Sequence, residues 1–302
     1  MKRGIRRDTV AAANALLIIL VGVLMVSASS VAILLYDTGQ SSRSPDVVTA
    51  ERGDTVRVDY VGRLPDERVF DTSQWKVASD DALYPKSLNF DQGNQSDYRP
   101  LEFQIGDGKM IQGFENGVIG MKENQTKELE IPPSQGYGEM NQSKLVERSY
   151  RQSIPVFEDM TFAQYAEEFS TSPVVGQTLQ DPMWKWDVTV LSANRDADLV
   201  RVFNSPELNQ EYPVFGQGSG EDTGWNIKVT SFDSSADQGQ GEIVIRHMVD
   251  PEDGRHLKGI DMEGEEFILE EVDPESNTLV LNYNREVVGV TLTFTVTLVE
   301  IV

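Results

Sequence analysis

From Val10 to Tyr36 the chain carries no charged side chain, reading VAAANALLIILVGVLMVSASSVAILLY. As an α-helix at about 1.5 Å per residue this run is roughly 40 Å long, and a bilayer core about 30 Å thick needs only about 20 residues. So long an apolar helix suits a membrane, and it confines the rest of the chain to one side of it. Lys2, Arg3, Arg6 and Arg7 precede the run and Asp37 follows it. The cations before the span predict residues 1–9 in the cytoplasm and everything after residue 37 outside. A cleaved leader would be cut near Ser27, Ala28 and Ser29, but the apolar run continues through Leu35, past the usual leader core. The expectation is a retained single-pass transmembrane helix over residues 10–36, a linker over 37–50 and an extracytoplasmic body. Sequons at Asn94, Asn124 and Asn141 are glycosylation candidates that agree with export.

The formal net charge is −23. Nucleic acid is therefore excluded as a partner, because phosphate contacts need clustered Lys and Arg. The acidity is spread along the chain, which reads as a solvated surface suited to high salt. With no cysteine there is no disulfide, no thiolate chemistry and no lipid-anchored N-terminal cysteine. Only His247 and His256 are histidines, so no metal site and no cofactor are expected. The run GDGKMIQG lacks the Lys-Ser/Thr of a phosphate loop and misses the dinucleotide pattern. Glu265–Glu266 reads as a solvated turn. Asp71, between Phe70 and Thr72 at a strand end, is the carboxylate that stands out.

After the linker, Thr55–Val61 alternates as a half-buried strand and RVFDTS leaves a short strand for a loop. The polar stretch from Gln74 to Tyr98 reads as a long surface loop. LEFQIG is another strand, and KMIQGFENGVIGM has the period of a short amphipathic helix with Met110, Ile111, Phe114 and Val118 on one face. TKELEIPP is a strand stopped by proline, and VTLTFTVTLVEIV is a β-branched strand. Between Gly138 and that strand the character changes. A helix over TFAQYAEEFS, with Thr161 and Gln164 as a capping box, precedes short strands at WKWDVTVLS, ADLVRVFN, WNIKVTSF, EIVIRH, EEFILEEV and TLVLNY. The order of these strands suggests a duplication, with copies at Gly176–Thr230 and Gly264–Thr297. Trp184, Trp186, Phe157 and Phe215 in this region either bind unfolded chains or pack inside it.

The stretches VDYVG, VFDTS, LEFQIGDGKMIQGFENGVIGM, IPPSQGYGE and TLTFTV, in this order, resemble the FKBP-type peptidyl-prolyl cis/trans isomerases. The run SKLVERSYRQSIPVFEDM followed by VVGQTLQ is similar to the insert-in-flap chaperone domain of the long archaeal and bacterial members, and with the acidic surface it suggests a haloarchaeal protein. The resemblance implies an α+β fold: an antiparallel sheet wrapped on a short helix, with a large mainly-β insertion. Residues 51–140 plus 285–302 would form the isomerase domain, and 141–284 the inserted chaperone-like module. By resemblance, Tyr60, Asp71 and Tyr137 take the catalytic positions, with Tyr137 donating to the substrate carbonyl and Asp71 holding the polar side. Phe70, Phe103, Met110, Ile111, Phe114 and Phe294 would bind the substrate proline, Met110 and Ile111 offering backbone groups. The implied function is that of a membrane-anchored, extracytoplasmic folding catalyst and chaperone. Its partners would be proline-containing unfolded or nascent exported proteins, and it would act as a monomer. The alternative is a non-catalytic chaperone or scaffold for unfolded or membrane-protein partners. Arg285 and Glu286 depart from the subgroup's His-Pro at this place, so no metal role is inferred there.

Overall fold

The computed structural model describes residues 48–216 and 223–302. The expected span over 10–36 and its cytoplasmic flank lie outside these residues. Among the described residues no helix is long and apolar enough to cross a membrane.

The first sheet joins the two ends of the described chain. Its strands are β1 (Thr55–Arg63), β2 (Val69–Thr72), β3 (Leu101–Gln104), β4 (Thr126–Ile131) and β17 (Leu292–Ile301). They run in the order β2-β1-β17-β4, with β3 on the first half of β1. Every pairing is antiparallel, and β17 lies between β1 and β4 with Phe294 opposite Gly62 and Leu129. Alternation in β17 puts Leu292, Phe294, Val296 and Leu298 on one buried face, as a two-residue period requires. The helix Gln112–Val118 packs on that face. Its glycines allow the close approach, since a Cβ at Gly113 would lie 2.5 Å from Ile131 and one at Gly117 2.3 Å from Leu129.

Two expectations here need correcting. Met110 and Ile111 are not on the helix: Ile111 is its N-cap residue, with extended backbone (φ −61, ψ 141), and Met110 sits in the preceding loop. The pattern reads as helical because the apolar residues before and after the cap face the same core. The stretch 74–98 contains little regular structure, but it is anchored and not a free loop. Tyr84 and Phe90 pack on Val61, Val69 and Val77, and Trp75 meets the Tyr98 ring at 5.4 Å.

The remaining strands form three four-stranded sheets of one design. Each is centred on a hairpin: β9 (Asp187–Asn194) with β10 (Leu199–Asn204), β12 (Trp225–Asp233) with β13 (Glu242–His247), and β15 (Glu266–Asp273) with β16 (Thr278–Asn282). A short strand just ahead of each hairpin lines one side, namely β8 (Thr178–Gln180), β11 (Glu211–Val214) and β14 (Lys258–Ile260). The other side is closed by β7 (Phe157–Met160), β6 (Arg151–Pro155) and β5 (Leu145–Ser149) in turn. Each hairpin also carries a register shift midway, so Leu191, Thr230 and Glu270 oppose no residue across the ladder. The repeat is thus threefold, not twofold. The proposed copies had wrong limits: Gly176–Thr230 straddles two sheets and Gly264–Thr297 runs into β17 of the first one.

All three sheets share one core, built on Val188, Val200, Ile227, Ile245, Leu269 and Leu281 among others. The aromatics put forward as chain-binding groups belong to it. Trp186 is fully buried with Trp184 stacked on it at 5.4 Å, Phe157 packs on Phe203, and Phe215 packs on Trp225 and Phe267. The helix Phe162–Phe169 opens with the expected capping box between Thr161 and Gln164.

Candidate active site

The sheet registers bring the sequence-predicted residues together from separate stretches of chain. Gly62 on β1 stands opposite Asp71 on one side and Phe294 on the other. A Cβ there would lie 2.8 Å from Phe70 and 2.9 Å from Phe294, so two rings close over bare backbone. Phe294 meets Phe70 edge-on at 5.4 Å and Phe114 at 5.2 Å, and lies tilted 6.2 Å from Tyr60. Phe114 also contacts Tyr60 at 5.7 Å and Phe103 at 5.8 Å, and Phe70 meets Tyr137 at 6.4 Å. Edge-to-face contacts of this kind fix ring orientation as well as burying area. Phe103, Phe114 and Phe294 are buried and form a floor. Tyr60, Phe70, Met110, Ile111 and Tyr137 are partly exposed around it.

Polar groups sit at the rim. Tyr60 donates its hydroxyl to Asp71 Oδ2 at 2.9 Å. Burial raises the Tyr60 hydroxyl well above the usual tyrosine range, and the neighbouring Asp71 charge adds to this. Burial likewise raises Asp71, with the Tyr60 hydrogen bond working against it. Tyr137 is raised by burial and by Asp71, and pulled back by the Arg285 cation. Ile111 uses its carbonyl to accept from Phe114 and Glu115 at 3.0 and 3.2 Å. Its own N–H donates to no group among the described residues. Tyr60, Phe70, Asp71 and Tyr137 line a cleft of ≈ 950 Å³; Phe103, Met110, Ile111, Phe114 and Phe294 lie in the apolar cluster beside it and do not line it.

Four further residues matter. Ser73 Oγ accepts from the Tyr60 N–H at 2.9 Å and Thr72 Oγ1 donates to the Tyr60 carbonyl at 2.8 Å, locking the main chain behind the Tyr60 ring. The Thr-Ser pair following Asp71 at a strand end was the available signal. Arg285 and Glu286, met in the sequence only as departures, both line the cleft. The Arg285 guanidinium lies over the Tyr137 ring at 5.4 Å. Glu286 is buried against Arg68 at 2.8 Å, and Arg68 donates in turn to the Arg255 carbonyl at 3.0 Å.

An antiparallel sheet thus wraps on a short helix, with an aromatic box beside the cleft and a tyrosine–aspartate pair at its rim. Residues 47–163 match the family model described as FKBP-type peptidyl-prolyl cis-trans isomerase. The match takes in β5–β7 and stops short of β17, which lies in the same sheet as β1–β4. Among similar proteins, the "Short-type peptidyl-prolyl cis-trans isomerase" of Methanocaldococcus jannaschii is 39% identical over 88 residues, 29% of this chain and 50% of the relative. "Peptidyl-prolyl cis-trans isomerase FKBP15-2" of Arabidopsis thaliana is 35% identical over 30% of this chain and 44% of its own length. "FK506-binding protein 2" of Yarrowia lipolytica is 31% identical over 34% and 58%. The chain thus spans about half the length of the curated relatives it matches.

Proposed function

We propose that this protein accelerates cis/trans isomerisation of X–Pro bonds. The observation that carries this is the aromatic box over Gly62, with Phe103, Phe114 and Phe294 as floor and the Tyr60–Asp71 hydrogen bond at its rim. Amide resonance sets a rotation barrier of about 18–20 kcal/mol, and lowering it requires no proton transfer to carbon, metal or covalent intermediate. A dry ring-shaped pocket grips the proline, and fixed donors favour the twisted amide over the planar one. Tyr137 Oη and the Ile111 N–H are the two donors placed for the substrate carbonyls.

Tyr137→Phe keeps the ring and deletes only the hydroxyl. A hydrogen bond made in the transition state is worth about 1–1.5 kcal/mol, so kcat/KM for an X–Pro peptide should fall about tenfold with little change in Tm. Unchanged catalysis in both Tyr137→Phe and Asp71→Asn, each folded, would remove the pocket assignment.

The reading extends to a membrane-anchored folding catalyst facing outward, with the three-sheet module acting as a chaperone on exported clients. Its support is the uncharged run Val10–Tyr36 behind a basic flank. Protease added to intact cells should digest the domain, and a protected domain would refute this placement. Excising the module should leave peptide isomerisation measurable and weaken action on a refolding protein.

A further inference from the structure

The cleft beside the aromatic box carries a cationic group with no counter-charge. Three arginines line it: Arg57, Arg99 and Arg285. Arg57 is committed to Glu102 at 2.8 Å and Glu300 at 2.7 Å. Arg285 forms no ion pair and donates to no acceptor among the described residues; its guanidinium carbon lies over the Tyr137 ring, 5.4 Å from the centroid. It is exposed, although the residue after it is buried.

That contrast follows from how the segment is held. Glu286 turns inward to Arg68 at 2.8 Å, and Asn284 is buried on the other side, its amide bonded to the Asn141 carbonyl at 3.1 Å and to Asn282 Oδ1 at 2.8 Å. Gly289 N–H reaches the Gly138 carbonyl at 2.9 Å, tying the same segment to the residue after Tyr137. With both neighbours pinned inward, Arg285 is presented at the mouth of the box, beside the hydroxyl assigned to the substrate carbonyl. A guanidinium over an aromatic ring with no ion pair of its own leaves its planar fork of N–H donors for a carboxylate.

The cleft also holds five carboxylates, two of them ion-paired and three held by neutral donors, and none forms an ion pair with Arg285. Glu102 is neutralised by Arg57, Asp71 accepts from Tyr60, and Glu286 is paired with Arg68. Asp91 and Asp97 accept from the Gly93 and Asn94 amides on the far wall. Arg99, also exposed there, makes no ion pair either.

We infer that Arg285 is a specificity-determining residue that selects X–Pro substrates bearing a carboxylate side chain beside the proline. This rests on the isomerase reading above. Substrate Glu or Asp meets the guanidinium as a charge-assisted pair over Tyr137, whereas Lys or Arg is repelled by it.

The test uses the whole protein and peptides differing only in the residues flanking proline: Ala, Glu or Lys before it, and Ala, Glu or Lys after it. The Ala peptide reports the isomerase reading by itself; no acceleration there sinks that reading and not specifically this one. Given activity on Ala, the wild type should favour Glu over Lys by about tenfold in kcat/KM at one or both flanks at low salt, the size of one charge-assisted contact. In Arg285→Gln that ratio should fall to about one, while Arg285→Lys should recover part of it. The preference should also shrink in molar salt, as a solvent-facing pair is screened. Equal rates for Glu and Lys peptides in the wild type, or a preference that survives Arg285→Gln, would overturn the assignment.

Discussion

Arg68→Met is expected to destabilise the protein by about 3–5 kcal/mol near pH 8, because it strips the partner from a buried carboxylate. The side chains of Arg68 and Glu286 are only 11% and 3% exposed, and their charged atoms are 2.8 Å apart. Arg68 also bonds Asp66 at 2.8 Å and the Arg255 carbonyl at 3.0 Å, so it joins the β1–β2 turn to the three-sheet module. Even with Arg68 present, burial holds the Glu286 carboxyl above its ordinary range, with Arg68 working against the rise. Without Arg68 the folded-state value must rise further. A carboxyl whose folded value lies above its unfolded one costs nothing below the unfolded value and becomes a penalty as pH climbs. The loss in Arg68→Met should therefore be small at pH 4 and grow through neutrality. Glu286→Gln added to Arg68→Met should recover most of it, since an uncharged amide has no such penalty. Chemical denaturation of the wild type and the two variants at pH 4, 6 and 8 decides the matter. A loss independent of pH, or one that the second substitution does not relieve, would mean that packing of the arginine stem and not its charge holds this joint.

Which parts of this architecture can be read before the fold is known follows from how local their causes are. β17 alternates over eight residues and the first five of β1 and last four of β4 do so too, and the buried face of each could be read off directly. The box residues were likewise visible, because the motifs that carry them survive intact on either side of the module. Short edge strands were not. β8 has three residues with one partly buried side chain, and β6 ends on a proline and alternates only between exposed and intermediate positions. Such segments become strands because a hairpin offers them an edge, which is a tertiary cause. The threefold design was hidden for the same reason: its third element comes from β5, β6 and β7, far from the hairpins they complete. Arg68 and Glu286 illustrate the limit at the site itself. Each reads as an ordinary surface charge, and only the fold removes water from both.

The second large effect concerns His247, at the centre of the module. The ring is fully buried and no charged group accounts for its behaviour: Trp225 Nε1 donates to its Nδ1 at 2.8 Å, the Gln152 amide lies 3.2 Å from Nε2, and Phe215 stacks at 6.2 Å. With Nδ1 accepting from the indole, the proton of the neutral ring is on Nε2, the nitrogen that faces the Gln152 amide. Protonating Nδ1 would set two donors against each other in a fully buried site. Burial accordingly pushes the imidazole down to about 4 from an ordinary 6.5. The group's folded value is lowered, so its contribution is complete above pH 6.5 and is lost as pH falls toward 4, where the unfolded chain binds a proton and the folded one does not. At 1.36 kcal/mol per pH unit this amounts to about 3 kcal/mol over that window. A half-buried carboxylate acts in the opposite sense: loss of water holds Glu168 at about 7, so acid favours the folded form there. The His247 share is therefore isolated by difference. His247→Asn keeps an acceptor for Trp225 and removes the titration. Its own loss, from the smaller side chain, should be constant with pH, so the wild type should lose about 3 kcal/mol relative to it between pH 6.5 and 4. The two histidines of the chain make a direct check simple, since His256 is exposed and the second ring signal must be His247. In an NMR titration the His247 signal should stay in its neutral position down to about pH 4.5 while the protein is folded. Movement near pH 6.5, or parallel stability curves for wild type and His247→Asn, would show that the ring reaches water and that the module's core opens at this point.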